Sequence, residues 1–255
     1  VCSGNTYELL TGNQLGALLL HYILHTRQVD GTLPKNGVML KTIVTSELGT
    51  AIAKQFDVAT VNTLTGFKYI AEKIAEFEVS GEHSYLFGYE ESYGYLIETF
   101  VRDKDAVQVA LKVAEMAAYY TVQGKTLLHA LDELYEQYGY YQEALVSKMF
   151  EGKDGQEQMQ TILNSYREKL PTEIADVAVV RVEDYLTGVA TQHDGRRETI
   201  LLPRENVLKF ILEDQSWIAI RPSGTEPKCK FYFGVVKGSK EQATEAINRL
   251  KQYFA

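Results

Sequence analysis

Cysteine is nearly absent. Only Cys2 and Cys229 occur in 255 residues, far apart, which excludes a disulfide framework and fits a reducing compartment. No zinc-type spacing of Cys and His is present. Long apolar runs are missing as well. None approaches the roughly 18 residues of a membrane span, and the start lacks a signal-peptide pattern, so a cytoplasmic location is expected. Positive charge is in short supply: 26 Lys and Arg stand against 34 Asp and Glu, a net charge of −8. That excludes a broad basic face for nucleic acid. A small anion is not excluded, because charges beyond a Debye length of about 8 Å are screened. No internal repeat or low-complexity tract occurs. Core-forming material is ample. Hydrophobic residues make up 45%, and the length suits one large domain or two ordinary ones. The 17 tyrosines suit a sugar-binding surface, although core packing is their commoner use.

Periodicity organises the first half. A helix from about Asn13 places Leu15, Leu18, Leu19, Tyr22 and Ile23 on one face, with Thr11 or Asn13 as its cap. An apolar strand at 38–44 follows, then a helix capped by Ser46, a strand at 58–61, a helix at 65–77 and a short strand at 84–88. A long amphipathic helix at 106–123 closes the series, preceded by Arg102, Asp103, Lys104 and Asp105. That charged run is either a solvated face or carries Asp103 as the helix cap. Alternating helix and strand predict an α/β domain at 1–123, three-layered around a mostly parallel sheet. Residues 124–139 read as a connecting helix and hinge. From 140 the pattern changes to a strand at 140–150, a helix at 156–170 stopped by Pro171, strands at 175–183, 207–212, 217–221 and 231–236, and a final helix at 239–254 capped by Ser239. Clustered strands bounded by helices predict an α+β domain with an antiparallel sheet at 140–255.

Three stretches carry chemistry. RPSGTEPKCK at 221–230 lies between two apolar strands. Arg221, the hydroxyls of Ser223 and Thr225, and a backbone freed by Gly224 can surround a phosphate ester. The same stretch also reads as an ordinary hairpin loop with a surface arginine. GYEESYG at 88–94 sets two acids, a serine and two tyrosines between glycines at a strand end. Two adjacent buried carboxylates would repel, so one of Glu90 and Glu91 is expected to face solvent. On an extended backbone Glu90 and Ser92 share a face and can bind vicinal sugar hydroxyls. A polar turn is the plainer alternative. Thr65, Gly66, Phe67 and Lys68 form a strand-to-helix junction, which attracts an anion or simply caps the helix. Lys104 is a phosphate contact or surface charge. His21 and His25 are one helical turn apart, but no third ligand accompanies them.

Taken together, LTGNQLGALLLHYIL at 10–24, TGFKYI at 65–70, GYEESYG at 88–94, VRDKDA at 101–106 and RPSGTEPK at 221–228 resemble the α-D-phosphohexomutases, specifically the phosphoglucomutase/phosphomannomutase group. Members of that family have four domains, and this chain is similar to the third and fourth. The resemblance implies that Glu90 and Ser92 bind sugar hydroxyls and that Thr65, Gly66, Lys68 and Lys104 are active-site positions. It implies that Arg221, Ser223, Gly224 and Thr225 hold a phosphate, with Lys230 the nearest match to a basic residue on the following strand. Tyr89 departs from the pattern, since many relatives have glycine before the glutamate. The family's phosphoserine loop and its Asp-Gly-Asp-x-Asp-Arg metal loop do not occur in the 255 residues. The chain is therefore expected to be a C-terminal fragment without turnover, holding no catalytic serine and no metal. The resemblance implies that the intact enzyme interconverts hexose 1- and 6-phosphates of glucose or mannose, with Mg2+ and a hexose 1,6-bisphosphate activator. Domains 1 and 2 of the same protein would be its partners. A non-catalytic sugar-phosphate-binding module, and a mutase for pentose or amino-sugar phosphates, are the alternatives.

Overall fold

The computed structural model describes residues 1–3, 6–150, 155–223 and 228–254, and contacts group the chain into two units, Val1–Gly139 and Tyr140–Ala255. The first unit opens with a two-strand ribbon, β1 (Cys2–Ser3) and β2 (Thr6–Tyr7). Helix α1 (Gly12–Val29) begins at Thr11, whose hydroxyl accepts from the Gln14 N–H while the Gln14 side chain accepts from the Thr11 N–H. This reciprocal cap satisfies two otherwise orphaned donors. The unit continues with β3 (Gly37–Thr42), α2 (Leu48–Gln55), β4 (Ala59–Thr63), α3 (Phe67–Ser80), β5 (Ser84–Glu90), β6 (Gly94–Leu96), α4 (Ala106–Val122) and α5 (Leu127–Tyr138).

The sheet order is β4-β3-β5-β6, with the first three strands parallel and β6 antiparallel. A strand buried on both faces reads as an apolar run, and all six residues of β3 are buried. On one face Val38, Leu40, Phe67, Ile70, Ile74, Phe77 and Leu96 pack together under α3. Helices α1 and α2 cover the other face, giving the three layers expected. Asp105, not Asp103, caps α4, because it directly precedes the first helical residue; its carboxylate accepts from the Val107 and Gln108 N–H groups. Helix α5 lies within residues 124–139, expected to connect. It buries Leu127, Ala130, Leu131 and Leu134 and packs against α1, α2 and α4, so its apolar face joins it to the first unit.

The second unit comprises β7 (Tyr140–Met149), α6 (Gly155–Glu168), β8 (Glu173–Ile174), β9 (Val177–Asp184), β10 (Val189–Gln192), β11 (Arg197–Thr199), β12 (Leu208–Leu212), β13 (Trp217–Pro222), β14 (Lys228–Lys237) and α7 (Lys240–Tyr253). Its strands run antiparallel in the order β11-β10-β9-β12-β13-β14-β7, with β8 paired to β9. The core joins Phe210, Ile218, Ile220, Phe231, Phe233 and Val235 of the sheet to Leu163 of α6 and Ile247 and Leu250 of α7. Strands β10 and β11 escape the sequence pattern because they are short and largely polar; all of β11 is exposed. Among the described residues no helix is long and apolar enough to cross a membrane.

Candidate functional site

In the first unit the loops after β3, β4 and β5 emerge at one end of the parallel strands, where α/β sheets place their ligands. The stretch 88–94 is a hairpin. Glu90 of β5 pairs with Gly94 of β6, and Glu91, Ser92 and Tyr93 make the turn, with Tyr93 at φ 65°. A three-residue turn ending in a left-handed residue is a common hairpin geometry. The expectation that Glu90 and Ser92 share a face of an extended segment fails here, because the chain reverses between them. Glu90 is buried, at 8% exposure, whereas Ser92 stands exposed at the tip.

Glu90 Oε1 accepts from the Gly66 N–H at 2.9 Å. Gly66 has φ 118° and ψ 123°, a conformation open only to glycine, and immediately precedes α3. The carboxylate therefore lies at a helix N-terminus, where the aligned peptide dipoles favour negative charge. Lys104 arrives at the same place. A methyl group on Gly94 would stand 2.6 Å from Lys104 Cδ and 3.0 Å from Glu90 Oε2. The Lys104 ammonium pairs with Asp103 Oδ1 at 2.6 Å and stands 5.3 Å above the Phe67 ring. That pairing draws the Asp103 pKa below the usual carboxylate range. The Thr65 hydroxyl is buried without a hydrogen-bond partner among the described residues. Lys68 is exposed, its ammonium 4.7 Å over the Tyr69 ring. The structure thus brings Glu90, Gly66 and Lys104 together, with Thr65 and Lys68 flanking Gly66 in sequence.

Glu91 does not face solvent, contrary to the expectation from charge repulsion. Its Oε2 lies 3.4 Å from the hydroxyls of both Thr42 and Thr45, which are themselves 2.8 Å apart. Burial raises the Glu91 pKa above the usual range, and the Glu90 charge adds to this; the threonine hydroxyls oppose it. Lys41 of β3 is buried completely, and its ammonium donates to Glu47 at 2.9 Å and to the Thr45 carbonyl at 3.3 Å. The Lys41 contacts brace the loop after β3, and the contacts of Glu91 with Thr42 and Thr45 join the end of that strand and its loop to the hairpin. A lysine inside an apolar strand pattern was the available signal for this cluster. His21 and His25 stack at 5.9 Å, with Phe56 and Tyr119 edge-on, and burial lowers the His21 pKa to about 4.

In the second unit Arg221 of β13 lies directly opposite Lys230 of β14, so two cations share one face of the sheet. The Ser223 N–H donates to the Lys228 carbonyl at 2.7 Å, closing the strands below the loop. Gly224 and Thr225 lie outside the described residues. Arg221 is engaged, with Nε and Nη2 donating to Glu205 Oε1 at 3.2 and 2.9 Å. Glu205 Oε2 is buried and has no hydrogen-bond partner among the described residues. Sixteen residues separate the pair, so no local pattern announces it.

An α/β unit with an acid-bearing hairpin at its strand ends, followed by an antiparallel unit with paired cations, defines a two-domain α/β plus α+β protein. The chain belongs to the phosphoglucomutase/phosphomannomutase family. The model of its alpha/beta/alpha domain III matches residues 11–138, and that of its C-terminal domain matches 163–250. Phosphoglucomutase of Staphylococcus haemolyticus (strain JCSC1435) is 41% identical over 246 residues, covering 96% of this chain and 43% of that protein. Phosphoglucomutase of Staphylococcus aureus (strain bovine RF122 / ET3-1) is 38% identical over 241 residues, covering 94% and 42%. The chain therefore spans less than half the length of these relatives. The open form of pp63/parafusin, a phosphoglucomutase from Paramecium, shares the fold with a TM-score of 0.63 at 17% identity, over 96% of this chain and 41% of that one. A phosphoglucomutase/phosphomannomutase family protein from Burkholderia thailandensis does so with a TM-score of 0.58 at 11% identity, over 97% and 42%.

Proposed function

We propose that this chain is the substrate-binding half of a phosphohexomutase that interconverts hexose 1- and 6-phosphates. The observation that carries this reading is the buried Glu90 carboxylate, held by Gly66 at the start of α3 with Lys104 beside it. In this reading a phosphoryl group passes from a phosphoserine outside the chain to a free hydroxyl of the hexose phosphate. The bisphosphate reorients, and the other phosphoryl group returns to the serine. Glu90 accepts hydrogen bonds from sugar hydroxyls through the oxygen not given to Gly66, and Ser92 supplies a second contact from the turn. Thr65, Lys68 and Lys104 line the sugar phosphate. Arg221, Ser223 and Lys230, with Gly224 and Thr225, hold the phosphate that is not reacting. Binding energy from that remote phosphate positions the reacting one.

Magnesium, which the family resemblance implies, would be held by residues outside this chain in this reading. A bisphosphate activator is expected at the same sugar and phosphate contacts. The test is Glu90→Gln in the full-length protein, which keeps the shape and removes the charge. Losing a charge-assisted hydrogen bond of about 1.5–3 kcal/mol lowers kcat/KM for glucose 1-phosphate by roughly 10- to 150-fold. An unaltered kcat/KM would exclude the sugar-binding role.

A further inference from the structure

We infer that Tyr89 is the positioning residue of the Glu90–Ser92 hairpin, seated in a slot that Gly16 of α1 and Gly49 of α2 leave open. The inference rests on the hexose-phosphate reading of that hairpin. Tyr89 is wholly buried at 0% exposure, and lies opposite Lys41 of β3 and Tyr95 of β6. Its ring stacks on Phe87 at 5.4 Å and on Tyr95 at 6.5 Å, so three rings cross the base of the hairpin on one face of the sheet. The Tyr95 hydroxyl donates to the Gly12 carbonyl at 2.9 Å, tying the same stack to the start of α1.

The two helices over this face have no side chain where the ring lies. A methyl group on Gly16 would stand 2.4 and 2.5 Å from Tyr89 Cδ2 and Cε2. One on Gly49 would stand 2.3 Å from the Tyr89 hydroxyl, but 3.2 and 3.3 Å from Cζ and Cε1. Atoms cannot approach to such short distances, so the ring is closed in on two sides. Successive strand residues point to opposite faces. Any push on Tyr89 is therefore transmitted to Glu90, whose carboxylate leaves the sheet on the α3 side to meet Gly66. The aromatic wedge fixes how far Glu90 stands from the helix N-terminus, and with it the place where a sugar hydroxyl is read. Displacing a positioned group by about 1 Å can cost a hundredfold in rate.

The experiment uses the full-length protein, with KM and kcat for glucose 1-phosphate, circular dichroism and thermal melting. Gly49→Ala is expected to raise KM by about tenfold while changing kcat less. In a Tyr89→Phe background the same substitution is expected to change KM by less than about threefold, because the group it would strike is gone. Gly16→Ala is expected to remain defective in both backgrounds, because phenylalanine keeps the two carbons it strikes. Tyr89→Leu removes the ring without creating a clash, and is expected to raise KM by about tenfold with the circular dichroism of the parent protein. It serves as the measurement if Gly49→Ala does not fold. A parental KM in a folded Gly49→Ala or Tyr89→Leu protein overturns the inference, as does a Gly49→Ala defect that persists undiminished with Tyr89→Phe. If the unaltered full-length protein turns over no hexose phosphate, the functional reading fails and takes this inference with it.

Discussion

At the scale of single residues, neighbouring acids are separated by the partners each one meets. Glu90 and Glu91 are adjacent, yet one meets a helix N-terminus and the other two threonine hydroxyls. The first gives one carboxylate oxygen to the Gly66 N–H. The second leaves a carboxyl whose pKa burial raises. The folded chain therefore holds the Glu91 proton to higher pH than the unfolded chain. Stability contributed at this position falls as pH rises from the ordinary Glu value of about 4.3 through the raised value, and stays lower above it. Glu91→Gln has no such loss. Urea midpoints of the variant, relative to the parent chain, are expected to be more favourable at about pH 7 than at about pH 4. A relative midpoint that does not change with pH would contradict the buried setting of Glu91.

At the scale of elements, the start of α3 is the most exacting piece of backbone near the candidate site. Gly66 combines φ 118° with ψ 123° and donates its N–H to Glu90. A side chain in that region costs about 1–3 kcal/mol. Gly66→Ala is expected to destabilise the chain by that amount in urea unfolding, and a loss below about 0.5 kcal/mol would show that the junction relaxes freely. The stretch TGFK revealed a strand-to-helix junction in the sequence, because glycine and apolar periodicity are local signals. The hairpin was less legible. GYEESYG reads as a polar loop, and β6 is only three residues long, too short for alternation to show. Its pairing with β5 reverses the chain and separates Glu90 from Ser92, which a reading based on an extended strand joined.

At the scale of the whole molecule, the chain carries two units and less than half the length of its relatives. The phosphoserine and metal loops that the family resemblance implies for the whole protein do not occur in these 255 residues. On the proposed reading the isolated chain is expected to give no interconversion of glucose 1- and 6-phosphates in a coupled assay and the full-length protein to give it; measurable turnover by the pure chain would refute this. Sequence alone determined the longer helices and strands and their order, the change from a parallel to an antiparallel pattern, the cap at Ser239, the choice of Thr11 or Asn13 at the start of α1, and the residues that carry the family resemblance. Each of these follows from neighbours in the chain, through periodicity, capping and turn chemistry. Tertiary structure alone decided the strand order β4-β3-β5-β6, the inward turn of Glu91, the burial of Lys41, the slot around Tyr89 and the pairing of Arg221 with Glu205. Those depend on which distant groups meet. Whether a charge is buried is set by desolvation balanced against partners from other elements, and that balance exists only once the elements have packed.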